Sequence, residues 1–150
     1  MTDNPLETRR QEIVDRLRAI RGSYWDCVSD VTAEIANTGS EWSIVDLLQH
    51  VTASYGGMIA RLLEEDNPDF GGAYDSEAAW KRVVDSVLRD IDGIISTAND
   101  VTVEELGRLG QRAGKPIGIL DVLALMADHY QEHLSQLRSE IRPREGLPLK

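Results

Sequence analysis

The apolar residues of this 150-residue chain recur at three- and four-residue steps along nearly its whole length. Such spacing places them on one face of an α-helix, so it predicts amphipathic helices that each bury one side. The first stripe consists of Ile13, Leu17, Ile20, Tyr24, Val28, Val31 and Ile35. No segment alternates strictly between apolar and polar residues, so we predict no strand and an all-α protein.

Capping and helix-breaking residues divide the pattern into four long predicted helices. Ser43 followed by Asp46 is typical of the first turn of a helix, because each side chain can bond the other residue's backbone amide. The predicted helices run from Asn4 to Asn37, from Ser43 to Asn67, from Ser76 to Asn99 and from about Gly118 to Ile141. Four such helices in a chain of this length predict a four-helix bundle, with residues 1–150 as one domain.

The connection before the fourth helix is rich in glycine. Thr102 and Glu105 there form a second capping pattern, which predicts a single-turn helix. Gly107, Gly110 and Gly114 interrupt the segment that follows. We therefore expect a flexible connection up to the fourth helix.

Charge and cysteine content exclude several classes of function. Sixteen basic against 26 acidic side chains leave a net charge of −10. That surplus argues against nucleic acid and against anionic lipid surfaces as partners, since both need a basic surface. The one cysteine, Cys27, excludes an intrachain disulfide and any multi-cysteine metal site. Its place on the first stripe predicts a core residue.

Neither a secretory signal nor a membrane span is expected. No apolar core follows the first charged residues. The most apolar stretch, Ile117–Ala127, is short and contains Asp121, whereas a spanning helix needs about 20 apolar residues. We expect a cytoplasmic protein.

The three histidines of the chain are the main chemical signal. His129 and His133 are four positions apart on the fourth helix, so both imidazoles can point towards one ion. His50 lies on the second helix, beside its apolar stripe. Small residues share the face of His50, which suits a cavity: Ala53, Ser54 and Gly57.

Two readings of these histidines stand side by side. Two ligands from one helix and a third from another would hold a metal with an open coordination position, as catalytic zinc sites do. Nickel, iron or manganese would accept the same ligands. Alternatively, His129 and His133 lie on a solvated face and His50 packs in the core.

No residue is assigned as catalytic from the sequence. Asp46 lies one turn before His50 and could orient it, although a helix-capping role explains the residue more simply. Gln136 lies one turn after His133, where it could contact a bound ligand or line a groove. The three tryptophans, Trp25, Trp42 and Trp80, are expected in the core or packed at helix ends.

Two segments resemble motifs of the DinB superfamily. Trp42-Ser43-Ile44-Val45-Asp46-Leu47-Leu48-Gln49-His50-Val51 resembles its second-helix motif, a tryptophan followed eight residues later by a histidine. The segment from Gly114 to Leu123, followed by His129-Tyr130-Gln131-Glu132-His133-Leu134-Ser135-Gln136-Leu137, resembles its fourth-helix motif. The strong part of the resemblance covers some 30 residues. The length and the order of the predicted helices resemble those of the superfamily over the whole chain.

The resemblance implies a fold, a metal and a reaction class. The implied fold is a four-helix bundle of up-down-down-up topology with a crossover connection, often a homodimer. The implied ligands of a divalent ion, zinc or nickel, are His50, His129 and His133. Some members of the superfamily are S-transferases or isomerases that use thiols such as mycothiol or bacillithiol. Many members carry a second histidine beside the last ligand, where this chain has Glu132.

The expected function is therefore thiol-dependent S-transfer to a small-molecule substrate. A metal-dependent hydrolase is the first alternative, because a metal can also activate water. The second alternative is a non-catalytic bundle in which a metal or a partner copy only stabilises a dimer. The substrate, the thiol and the roles of Asp46, Glu132 and Gln136 stay open at this point.

Overall fold

The structure, a computed structural model, describes residues 4–39, 41–52, 59, 62–68 and 75–150. The described part is mostly helical, as the apolar pattern predicts. Its helices are α1 Pro5–Val28, α2 Ala33–Ala36, α3 Ile44–Thr52, α4 Glu77–Asp100, α5 Val103–Leu106, α6 Ile119–Gln136 and α7 Arg142–Arg144. A π-helical turn, Leu137–Ile141, joins α6 to α7. None of the described helices combines the length and the apolar character needed to cross a membrane.

Helix α1 packs against both α4 and α6, and α3 packs against the same two helices. Apart from Ala79, the buried apolar side chains of these four helices belong to one cluster, which also includes residues of α2, α5 and the π-helical turn. Tyr24 links α1 to α6, because its hydroxyl donates to the backbone carbonyl of Tyr130 at 2.7 Å. The rings of these two tyrosines meet edge to face with 5.7 Å between centroids. Cys27 is fully buried in this core, as predicted.

The first predicted helix is wrong in its last part, because α1 ends at Val28 and a turn separates it from the short helix α2. The apolar stripe continues through the break, since Val31 and Ala33 are buried in the same core. Two contacts from α4 hold the turn: Trp80 Nε1 donates to the carbonyl of Val31 at 2.8 Å, and the Ala33 amide donates to Glu77 at 2.9 Å. Tertiary bonds therefore replace the helical bonds that the periodicity predicts.

The expectation of a flexible, strand-free connection is also wrong. Strands β1 Leu109–Arg112 and β2 Lys115–Gly118 form a two-stranded antiparallel hairpin. Ala113 and Gly114 make the tight turn, with φ of +52° and +76°. Both strands are largely exposed, so no apolar alternation marks them in the sequence. The single-turn helix before them is confirmed as α5, including the reciprocal bonds between Thr102 and Glu105.

Three predictions fall wholly or partly outside the described residues. The extension of the second helix beyond Thr52, as far as Asn67, is described only at residues 59 and 62–67, of which 59 and 62–64 are helical. The small residues on the face of His50, Ala53, Ser54 and Gly57, are not among those described. The predicted connection between the second and third helices also lies partly outside them, at residues 69–74.

Candidate metal centre

Helix α3 places His50 near its carboxyl end. Its start is fixed by Ser43 and Asp46: the Asp46 amide donates to Ser43 Oγ at 3.0 Å, and the Ser43 amide donates to the Asp46 carboxylate at 3.2 Å. The helix-capping role of Asp46 is thereby confirmed. The buried face of the helix carries Leu47, Leu48 and Val51, which leaves His50 at its margin, partly buried.

Helix α6 places His129 and His133 one turn apart. Its first turn is held by Asp121, whose carboxylate accepts a bond from the Gly118 amide at 2.8 Å. This backbone amide, followed by the Arg9 guanidinium, lowers the pKa of Asp121 below its ordinary value. The buried residues Ala127, Tyr130 and Leu134 set the rotation of the helix, so the two histidines lie together beside the core-facing stripe.

The structure brings all three predicted histidines together. One ligand nitrogen from each of His50, His129 and His133 can be chosen so that all three lie within 4.8 Å of one another. His133 is the central ring, because its centroid lies 4.8 Å from those of both His50 and His129. The centroids of His50 and His129 are 6.1 Å apart. His129 is exposed, whereas His50 and His133 lie more deeply.

Trp42 forms one wall of this cluster, a role that the expectation of a core or helix-end residue missed. Its ring centroid lies 4.6 Å from that of His50 and 5.8 Å from that of His133. The side chain is 37% exposed, so it covers the histidines from the solvent side rather than filling the core. The carbonyl of Trp42 accepts a bond from Arg144 Nη2 at 2.8 Å, which ties this wall to α7.

Gln136 contacts the cluster directly. Its Oε1 lies 3.1 Å from Nδ1 of His133, one turn back on the same helix. From the sequence, Gln136 was expected to line a groove or to contact a bound ligand. In the structure its side chain contacts one of the candidate ligands, His133. Glu132, which precedes His133 in the chain, is exposed.

Tyr130 follows His129 in the chain but faces the core. Its hydroxyl bonds the Asp90 carboxylate. Burial, together with that carboxylate, raises the pKa of Tyr130 well above its ordinary value. The phenol therefore stays protonated at neutral pH, where it serves the helix packing and cannot act as a base.

A surface cavity adjoins the cluster on the side of the carboxyl end of α6. Its volume is about 460 Å³, and its lining residues are Glu41, Trp42, Gln136, Glu140, Ile141 and Arg144. Trp42 and Gln136 belong both to this lining and to the surroundings of the histidines. A volume of this order accommodates a small organic molecule.

The donor set fits a divalent transition metal. Neutral imidazole is a preferred ligand of zinc and nickel, and three protein ligands leave a further position open for a small molecule. The three nitrogens come from two different helices that pack on one core, so the fold itself places them on facing helices. Cys27 lies buried in the core and is a residue of α1, which contributes no histidine.

Comparison with known proteins identifies the family of the chain. The sequence model of the DinB superfamily matches residues 6–137, a span that includes all three histidines as well as Trp42 and Gln136. No curated protein and no solved structure matches the chain. The match covers most of the chain, and the chain therefore belongs to the DinB superfamily.

Proposed function

We propose that His50, His129 and His133 together bind one divalent metal ion, zinc or nickel. The observation that carries this proposal is the convergence of their ligand nitrogens to within 4.8 Å. Histidines on a merely solvated face, the alternative reading, need not converge with a third histidine from another helix. Membership of the DinB superfamily adds support, because the match includes all three residues.

The proposed architecture is one domain over residues 1–150, a four-helix bundle of up-down-down-up topology with a crossover. Mutual packing of α1, α3, α4 and α6 supports it. Val122, Leu125 and Met126 are exposed apolar residues on α6 and support the predicted homodimer. Light scattering coupled to size-exclusion chromatography tests the dimer: twice the chain mass supports it and the monomer mass refutes it.

The proposed reaction is thiol-dependent S-transfer to a small molecule: the S–H bond of the thiol breaks, an S–C bond to the electrophile forms, and the leaving group of the electrophile departs with the released proton. A metal with an open position would lower the pKa of a bound thiol and so supply a nucleophile at neutral pH. The chain's own residues would do the rest. Trp42 shields the histidines from water on one side, and the adjoining cavity offers room for a thiol or an electrophile beside them.

Calorimetric titration tests the metal step first. Metal-free protein is titrated with zinc and with nickel, and the His133→Ala variant serves for comparison. We expect about one equivalent bound by the wild type. The affinity of the variant should fall by more than the ~10- to 100-fold that loss of a ligand's hydrogen-bond partner costs, since one of three ligands is lost. Wild-type protein that binds neither ion would refute the proposed site.

The reaction is tested on the metal-loaded protein. Low-molecular-weight thiols are incubated with small electrophiles, and thioether formation is followed by mass spectrometry. Turnover that requires both metal and thiol supports S-transfer. Metal-dependent turnover of esters or amides without a thiol would favour the hydrolase instead, and bound metal without any turnover would favour a non-catalytic bundle.

A further inference from the structure

We infer that Gln136 is a positioning residue that fixes His133 in the tautomer able to bind metal through Nε2. The inference rests on the proposed metal site and adds to it a residue outside the three ligands. Its basis is the contact between Gln136 Oε1 and His133 Nδ1 at 3.1 Å.

The chemistry of the two atoms decides which one donates. An amide oxygen can only accept a hydrogen bond, so Nδ1 of His133 must carry the proton. In a neutral imidazole the other nitrogen, Nε2, then keeps its lone pair free for a metal. The reverse orientation of the amide would donate to Nδ1 and leave the proton on Nε2, where it blocks coordination. The acceptor end of Gln136 therefore selects the binding-competent form.

His133 is the histidine whose orientation affects the cluster most. It is the only one of the three whose centroid lies 4.8 Å from both of the others. Its ring also contacts Trp42, at 5.8 Å between centroids. A rotated or wrongly protonated His133 would leave His50 and His129 facing each other across 6.1 Å without the ligand between them.

The backbone helps hold Gln136 in place. Helix α6 ends at Gln136, and the wider π-helical turn Leu137–Ile141 follows at once. π-Helical turns are rare and are found frequently at functional sites. Leu137 and Ile141 are buried and anchor this turn in the core. Gln136 thus lies at an anchored junction, on the same helix as its partner.

Two variants test this role against a matched control. Gln136→Met keeps the length of the side chain and removes the acceptor, while Gln136→Glu keeps an acceptor oxygen in the same place. Gln131→Met makes the same chemical change on the same helix, on a face turned away from His133. Each purified protein is measured metal-free by nitrogen–proton correlation spectra of the histidine rings at alkaline pH, and then titrated with zinc.

We expect Gln136→Met to differ from the other proteins in both the tautomer spectra and the zinc titration. Wild type, Gln136→Glu and Gln131→Met show His133 protonated at Nδ1, and Gln136→Met shows a mixture of tautomers. Zinc affinity falls about 10-fold in Gln136→Met, the scale typical of lost partners of ligating histidines, and stays near wild type in Gln136→Glu and Gln131→Met.

Two results would overturn the inference. One is a wild-type His133 protonated at Nε2. The other is a zinc affinity that falls equally in Gln136→Met and Gln131→Met, which indicates a general effect on the helix. A wild-type protein that binds no zinc refutes the proposed metal site and, with it, the role of Gln136 in metal binding. The tautomer spectra need no metal, so they still show whether Gln136 contacts His133.

Discussion

The indole ring of Trp42 lies against the imidazole of His50, with 4.6 Å between the ring centroids and 49° between the ring planes. The same indole reaches His133, so it touches ligand candidates from both α3 and α6. Its position at the solvent boundary makes it a cover for the cluster.

Replacement of Trp42 should weaken metal binding more than it weakens the fold. Trp42→Leu removes the aromatic cover from His50 and His133, and we expect roughly 10-fold lower zinc affinity because the surroundings of metal ligands set their orientation. Trp25→Leu is the control, since Trp25 is 53% exposed and belongs to α1. Calorimetric titration of both variants is the measurement. Equal zinc affinities in the two variants would contradict the cover role.

The ion pair between Arg142 and Asp30 should be a main support of the fold. Arg142 is 1% exposed, bonds both carboxylate oxygens of Asp30 at 2.6 and 2.8 Å, and also donates to the carbonyls of Cys27 and Pro148. Arg142→Met leaves these acceptors unpaired. We expect a loss of roughly 3 kcal/mol in the free energy of unfolding, at the low end for buried pairs because Asp30 is 29% exposed.

Urea denaturation followed by circular dichroism measures that loss. The matched control is Arg18→Met on the exposed face of α1, where the pairing distance to Asp15 is 3.8 Å and the arginine is 57% exposed. Its effect should stay within about 0.5 kcal/mol. If Arg142→Met lowers the free energy of unfolding no more than Arg18→Met does, the ion pair between Arg142 and Asp30 is not a support of the fold.

The same pair predicts a pH dependence of stability. The Arg142 guanidinium, mainly through its hydrogen bonds, holds the pKa of Asp30 below its ordinary value of 3.8. The unfolded chain therefore binds this proton at a higher pH than the folded chain does, and the stabilisation is complete above that ordinary value. It is lost as the pH falls below 3.8 and through the lower pKa of the folded protein.

The stability difference between wild type and Asp30→Asn measures this contribution. Urea midpoints are determined for both proteins from neutral pH downwards. The difference should be constant above about pH 5 and shrink below the ordinary carboxylate pKa. A difference that stays the same at acidic pH would contradict the assignment to the Asp30 charge.

The hairpin turn should become more stable with a better-suited residue at its first central position. Ala113 adopts a φ of +52°, a conformation that costs alanine more than asparagine. Asparagine followed by glycine is the preferred pair for a two-residue hairpin. Ala113→Asn should therefore slow hydrogen exchange of the hairpin amides about 2- to 5-fold. Faster exchange in the variant would contradict the turn geometry.

Much of the fold and the histidine cluster could be predicted because both depend on helical periodicity. His129 and His133 lie on the same face of α6 whichever residue begins that helix, because they are four positions apart. The capping pattern of Ser43 and Asp46 locates the start of α3 without tertiary information. The break after Val28 depends instead on Trp80 and Glu77, which lie far along the chain. The helical spacing of apolar residues cannot reveal this break, since buried apolar residues continue at the same spacing through the turn.

The hairpin and the cover of the site were missed for different physical reasons. Both strands of the hairpin are largely exposed, so their sequences show no alternation of apolar and polar residues. In addition, Ala113-Gly114 is not the preferred pair for a hairpin turn. Trp42 lies just before the cap of α3, where an aromatic residue is equally suited to packing at the helix end. Only the arrangement of α3 beside α6 shows that its ring faces two histidines.

The metal content of the purified protein tests the central claim most directly. Tag-free wild type and the His129→Ala, His133→Ala double variant are analysed by elemental mass spectrometry after exposure to zinc or nickel and removal of free ions. Circular dichroism confirms that both are folded. We predict about one equivalent of metal per wild-type chain and none in the variant. Metal-free wild type, or equal metal in both proteins, would contradict the three-histidine site.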